Sequence, residues 1–64
     1  MVLVMTTSSI IDANKQLDNL VARNKGRGGQ YKYAYITKYK MVYGVALSKE
    51  KPTGKQVRSI RRLN

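Results

Sequence analysis

The apolar run at the start of the chain is the first of several segments that differ in hydrophobic period. Residues 1–7 begin with Val2-Leu3-Val4-Met5 and end in two threonines. So short a run cannot span a bilayer, and it lacks the basic region and long apolar region of a signal peptide. It predicts either an edge strand or a loose leader with Met5 as an alternative start, and we favour the strand.

Residues 8–24 carry apolar side chains at steps of three and four, which places them along one side of a helix. The stripe consists of Ile10, Ala13, Leu17, Leu20 and Val21. Ser8 or Ser9 can cap the N-terminus, and Asn24 or Gly26 can adopt the left-handed conformation that ends a helix. We expect this stripe to face the core, with a dimer interface as the alternative.

Residues 31–47 form the most strand-prone part of the chain, because they hold all five tyrosines with Ile, Thr and Val between them. The segment is too long for one ordinary strand, so it predicts an antiparallel hairpin with its turn near residues 37–40. We expect Tyr35 and Tyr43 to lean inward. Tyr31, Tyr33 and Tyr39 are then the more exposed tyrosines.

The last segment, residues 48–64, opens with a polar link in which Thr53 can act as a helix N-cap. Val57, Ile60 and Leu63 follow at intervals of three, which indicates a narrow apolar seam on a short C-terminal helix. A helix of this length is not stable alone, so it must dock on the sheet or become ordered on a partner.

These elements together predict one small α+β domain over residues 1–64. The expected order is helix, antiparallel hairpin and short C-terminal helix, with the N-terminal residues as a candidate third strand. In outline the order of elements resembles double-stranded-RNA-binding domains and the small head-to-tail joining proteins of tailed phages. No functional residue is carried over from either resemblance.

The net charge of the chain indicates its function more clearly than any sequence motif does. Thirteen Lys and Arg side chains face three acidic ones, which gives a net charge of +10. Residues 23–64 hold twelve of the basic side chains and a single acid, Glu50. Solubility of a small domain needs a net charge of only about 2–8, so the excess indicates a polyanionic partner.

The sequence offers few side chains suited to catalysis, because it contains neither Cys nor His. The carboxylates are Asp12, Asp18 and Glu50, and the two aspartates fall on opposite sides of the predicted helix. They form neither an acid–base pair nor a cluster for Mg²⁺. We therefore expect no enzymatic activity, no cofactor and no metal site.

Nucleic acid, either DNA or RNA, is the partner that the sequence favours, because lysines alternate with tyrosines in the hairpin and arginines crowd the last segment. The glycine-rich residues 25–30 either contact phosphate or simply join helix to strand, and they lack a P-loop pattern. The candidate contacts are Lys25, Arg27, Lys32, Lys38, Lys40, Lys55, Arg58, Arg61 and Arg62, with Tyr31, Tyr33 and Tyr39 as candidate stacking groups. The same tyrosine pattern is also typical of cross-strand packing.

A protein partner is the alternative to nucleic acid. The chain would then be a small inhibitor or a viral or phage structural-assembly factor that clamps an acidic protein surface, and its hairpin edge could pair with a partner's sheet. A homodimer is a further alternative that the sequence leaves open. We expect no membrane partner, because the narrow seam has no Trp or Phe to anchor it. The absence of a signal peptide in the sequence makes the cytoplasm the expected location.

Overall fold

The computed structural model describes residues 2–24 and 30–63, and within them one helix packs on a four-stranded antiparallel sheet. The elements in chain order are β1 (Val2–Thr7), α1 (Ile10–Asn24), β2 (Tyr33–Tyr39), β3 (Val42–Ser48) and β4 (Val57–Arg62). The strand order is β1-β3-β2-β4, so β1 and β4 are the edges. The α+β class is confirmed, but the predicted order of elements and the smaller sheet are wrong.

Helix α1 begins where the sequence predicted, with Ser9 as its cap. The Asp12 amide donates to Ser9 Oγ at 3.3 Å, and the Ala13 amide donates to the Ser9 carbonyl at 3.0 Å. Ala13 and Leu17 are fully buried, so the apolar stripe faces the core as expected. At the other end the side-chain amide of Asn24 donates to the Leu20 carbonyl at 2.8 Å, and Gly26 lies outside the described residues.

The N-terminal segment is a strand, which excludes the reading of a loose leader. Strand β1 pairs with β3, and Met5 lies opposite Val45 and packs against the core. The register shifts between Leu3 and Met5, so Val4 is the extra residue of a β-bulge.

The hairpin is also confirmed, with its turn slightly later than predicted. Tyr39 pairs with Val42, and Lys40 and Met41 connect the strands, Lys40 with φ of 45°. With a connection of two residues, odd-numbered residues of β2 share a face with even-numbered residues of β3. Tyr35 and Tyr43 are both turned inward as predicted, but towards opposite faces of the sheet.

The predicted C-terminal helix is wrong, because residues 57–62 form strand β4 along the free edge of β2. Arg61 pairs with Ala34 and Arg58 with Ile36, so Ser59 and Ile60 together oppose one residue in a β-bulge. The bulge places Arg58 and Arg61 on the same face of the sheet although they are three apart. Val57 pairs with Thr37 on the opposite face, whereas Leu63 joins the core, so the predicted apolar seam does not lie on one face. Strand pairing satisfies backbone groups that a marginal helix would leave exposed.

The core lies between α1 and one face of the sheet, here called the helix face. Its fully buried side chains include Leu17, Ile36 and Val45, and Leu63 enters it just after β4. The sequence predicted that Leu63 docks on the sheet from a helix. Instead, Leu63 reaches the core as the residue that directly follows strand β4. With the C-terminal helix gone, the outline shared with double-stranded-RNA-binding domains and phage joining proteins no longer holds.

The opposite face of the sheet, here called the open face, is crossed by residues 49–56, the crossover segment. Strands β3 and β4 are both antiparallel to β2, so this segment must travel from one end of the sheet to the other. The β1–α1–β2 connection runs in the reverse direction, and two crossovers of the same hand then lie on opposite faces. The crossover segment lines a hollow with Tyr35 and Thr37, which explains why both are buried without a helix above them.

Candidate nucleic-acid interface

The open face carries a groove between the tip of the hairpin and the crossover segment, here called the open-face groove. It has a volume of about 700 Å³ and is lined by Thr37, Lys38, Tyr39, Lys40, Met41, Val42 and Gln56. A second hollow of about 380 Å³ shares Thr37, Tyr39 and Gln56 and continues towards Tyr35 and Pro52. Small-molecule sites span about 300–1,000 Å³, so the groove can admit a group the size of a nucleotide.

Tyr39 supplies the aromatic surface of the groove, and Gly44 makes room for its ring. A Cβ atom at Gly44 would lie 3.0 Å from Tyr39 Cε2 and 3.0 Å from Leu3 Cδ1. The ring can therefore approach the sheet only because residue 44 has no side chain. It remains 42% exposed, and the neighbouring Met41 is 85% exposed.

The lysines that flank Tyr39 point in different directions. Lys38 shares the helix face with Ile36, and its Nζ lies 5.9 Å from the centroid of the Tyr43 ring, a cation–π distance. Lys40 lies in the exposed turn beside the groove. Lys38 and Tyr39, neighbours in the alternation of lysines and tyrosines, thus lie on opposite faces of the sheet.

The crossover segment adds lysines that the sequence analysis did not single out, apart from Lys55. Lys49 and Lys51 are exposed, and Lys51 lines the second hollow together with Glu50. Ser48 fixes the start of the segment, because its hydroxyl donates to the Glu50 carbonyl at 2.7 Å and accepts from the Glu50 amide at 3.2 Å. Only the topology could reveal these lysines, since in the sequence the segment is an ordinary polar link.

The three arginines of β4 are exposed but do not form the single surface that a helix would have given them. Arg58 donates to the carbonyl oxygens of Lys55 at 2.7 Å and Val57 at 3.3 Å, so its guanidinium is held against the backbone. Arg61 Nη2 lies 3.3 Å from Asp18 Oδ1 at the rim of the helix face. Arg62 pairs with Tyr33 and therefore projects on the open face.

Three of the predicted contacts lie at the end of the sheet away from the groove. Lys32 is exposed at the start of β2, where its backbone bonds with Ser48 and Leu63 anchor the end of the sheet away from the hairpin turn. Tyr31 was expected to be exposed but is half-buried against the core. Tyr33 is also half-buried. Lys25 and Arg27 lie outside the described residues.

The electrostatics of the described part are dominated by uncompensated positive charge. One ion pair, Arg61 with Asp18, forms within residues 2–24 and 30–63, and both of its side chains are more than half exposed. Burial, and then the nearby Tyr39, raise the pKa of the Tyr35 hydroxyl above its ordinary value of 10.0. Over the same residues, Asp and Glu side chains form no cluster suited to a metal ion.

Comparison with known proteins does not assign the chain to a family. No protein-family model, curated protein or solved structure matches the chain. Among the described residues, no helix has both the length and the apolar character required to cross a membrane.

Proposed function

We propose that this chain is a non-enzymatic nucleic-acid-binding protein whose contact surface is the open-face groove and the basic side chains around it. One observation carries the proposal. The exposed ring of Tyr39 lines a groove beside Lys40, in a chain whose net charge is +10.

Few acidic side chains are available within the chain to balance its positive charge. Three acids cannot balance thirteen basic side chains, and Arg61 is the one base paired with an acid in the described part. A surface that stays this positive attracts polyanions and releases their condensed counterions on binding. Lys40 lines the groove, Lys51 lines the second hollow, and Lys55 precedes Gln56 of the groove wall in the chain. Arg58 and Arg62 extend the positive charge along the sheet edge.

The chemistry of the groove favours nucleic acid over a partner that is only anionic. Phosphates need only the lysines, but an exposed tyrosine with adjoining apolar side chains also suits the flat face of a base. Both chemistries occur together along a nucleic-acid strand, where every base is flanked by phosphates. The groove offers both within a few residues of the hairpin turn.

Salt dependence of binding provides the direct test. Labelled single-stranded DNA, duplex DNA and duplex RNA of equal length should be titrated with the protein at several salt concentrations, with fluorescence anisotropy as the readout. If about five phosphates are neutralised, the slope of log K against log salt is about −4.5 for duplex DNA and about −3.5 for a single strand. A slope near zero, or no binding at physiological salt, would contradict the proposal.

A matched pair of variants locates the contact surface. Lys40→Gln and Lys15→Gln each remove one positive charge from an exposed position, the first beside the groove and the second on α1. We expect Lys40→Gln to weaken binding several-fold and Lys15→Gln to have a smaller effect. Equal losses would mean that charge acts only through the total, with no defined surface.

The β1 edge favours a second candidate function, in which the partner is a protein. Val2, Leu3 and Val4 are 42–47% exposed on an edge strand that carries no charged residue. Edge strands usually bear charges that discourage pairing, so this edge is suited to receive a partner's strand. Val4→Lys should abolish a protein complex that forms through the β1 edge. A complex that resists nuclease treatment and still forms with Val4→Lys would contradict a role for this edge.

A further inference from the structure

We infer that the open-face groove binds single-stranded nucleic acid, with one unpaired base stacked on the Tyr39 ring. The inference rests on the proposed function and specifies the form of nucleic acid that the groove accepts. It follows from the position of the ring, the chemistry of the groove walls and the placement of the lysines.

The position of the Tyr39 ring is the first argument. The ring packs over Gly44 and lies close to the sheet, while 42% of the residue stays exposed. Bases in a duplex are covered on both faces by their neighbours and cannot reach a protein ring. An unpaired base can stack on it, as in proteins that bind single strands.

The groove walls are the second argument. Met41 and Val42 contribute apolar surface beside the ring, and Thr37 and Gln56 contribute polar groups to the same hollow. Apolar walls suit the face of a base, while a hydroxyl and an amide can hydrogen-bond to its edge. A duplex exposes base edges in its grooves but no base face, so it would leave the apolar walls unused.

The lysines around the groove are the third argument. Lys40 lies at the hairpin tip, and Lys51 and Lys55 lie on the crossover segment that forms the other side. A strand that passes between these sides brings a phosphate near each of them while its base enters the groove. Lys38 also lines the groove, but its ammonium group does not take part in this arrangement, because it lies over Tyr43 on the helix face.

A comparison of two Tyr39 variants on two forms of DNA tests the inference. Binding of oligodeoxythymidine and of a duplex of equal length should be measured for the wild type, Tyr39→Leu and Tyr39→Phe. Loss of one base stack should weaken single-strand binding by roughly 5- to 100-fold in Tyr39→Leu. Tyr39→Phe keeps the ring and should bind within about threefold of wild type, and duplex binding should be nearly unchanged in both.

A measurement on the wild-type protein keeps the test independent of whether the variants fold. Base stacking shifts the proton resonances of an aromatic ring upfield in NMR spectra. On addition of oligodeoxythymidine the Tyr39 ring signals should move more than those of Tyr31, which is half-buried against the core. Shifts that leave Tyr39 unaffected would overturn the inference.

The possible failures can be told apart. If the single strand and the duplex bind equally well, with normal salt slopes and no effect of Tyr39→Leu, the single-strand inference is wrong and the proposed function stands. An equal loss for both forms in Tyr39→Leu also overturns the inference. If neither form binds at physiological salt, the proposed function is wrong and the inference falls with it.

Discussion

The Tyr39 ring lies against Gly44 of the neighbouring strand, so closely that a Cβ atom at residue 44 would be 3.0 Å from Tyr39 Cε2. This contact sets the height of the aromatic surface above the sheet. Gly44 is buried in β3 although glycine weakens a strand interior. Its place there is explained by the two side chains, Tyr39 and Leu3, that pack over it.

Gly44→Ala should therefore disturb the groove more than the fold. The added methyl group meets the ends of two side chains, which can move by a few tenths of an ångström, so we expect a loss of about 1 kcal/mol in unfolding free energy. The displaced ring should weaken binding of oligodeoxythymidine several-fold. Urea denaturation and anisotropy titration would measure the two effects, and unchanged affinity would show that the ring position is irrelevant.

Ser59 provides a test of strand against helix in the last segment. Its φ of 44° lies in the left-handed region, where a residue with a Cβ atom costs roughly 1–2 kcal/mol. Ser59→Gly should relieve that cost and stabilise the protein by about 1 kcal/mol, and Ser59→Val should destabilise it.

The sign of the Ser59→Gly effect is diagnostic. In the interior of a helix, glycine destabilises by up to about 1 kcal/mol relative to good helix formers, so a helix at residues 57–62 predicts the opposite change. Denaturation midpoints of the two variants would decide. A Ser59→Gly protein that is less stable than wild type would contradict the β-bulge.

Local periodicity explains which parts of the fold could be predicted from the sequence. The stripe of α1 and the dense β-branched and aromatic residues of the hairpin leave few alternatives, and both elements form where expected. The strand β4 could not be recognised, because Val57, Ile60 and Leu63 recur at intervals of three as in a helix, although Val57 and Leu63 lie on opposite faces of the sheet. Its conformation is decided by the free edge of β2, which lies far away in the sequence.

The candidate site was predicted less well than the fold. Composition identified the charge, and the alternation of Lys and Tyr identified Tyr39 and Lys40. The faces on which these side chains lie depend on the length of the hairpin turn, which lacked a defining dipeptide. The contribution of Lys51 depends on the course of the crossover segment, which follows from sheet topology and not from local sequence.

Tyr35 should make stability depend on pH in the alkaline range. Its pKa in the folded protein is raised above 10.0 by burial and by Tyr39, so folding favours the neutral phenol. The contribution is fully present below pH 10 and is lost as the pH rises from there through the raised pKa, because the unfolded chain releases its proton first.

A comparison with Tyr35→Phe isolates this contribution from the titration of the lysines. Unfolding free energies of both proteins should be measured from neutral pH to above pH 10, and the variant should lose stability less steeply at the alkaline end. Parallel curves would contradict the assignment. The phenolate absorbance of the folded wild type gives an independent check, because the Tyr35 signal should develop above the ordinary tyrosine pKa of 10.0 and be missing in Tyr35→Phe.

Lys40 and Lys38 flank Tyr39 and both line the groove, but Lys40 lies in the exposed turn, whereas the ammonium group of Lys38 lies over Tyr43 on the helix face. They therefore form a matched pair for the last prediction. Lys40→Gln should reduce the salt slope for oligodeoxythymidine by about 0.7, the value for one phosphate contact on a single strand. Lys38→Gln removes the cation–π contact with Tyr43 and should cost about 0.5–1 kcal/mol of stability with a smaller change in slope. Because both variants lose the same charge, a general electrostatic effect would change the two slopes equally. Only a contact surface on the open face predicts the larger effect at Lys40.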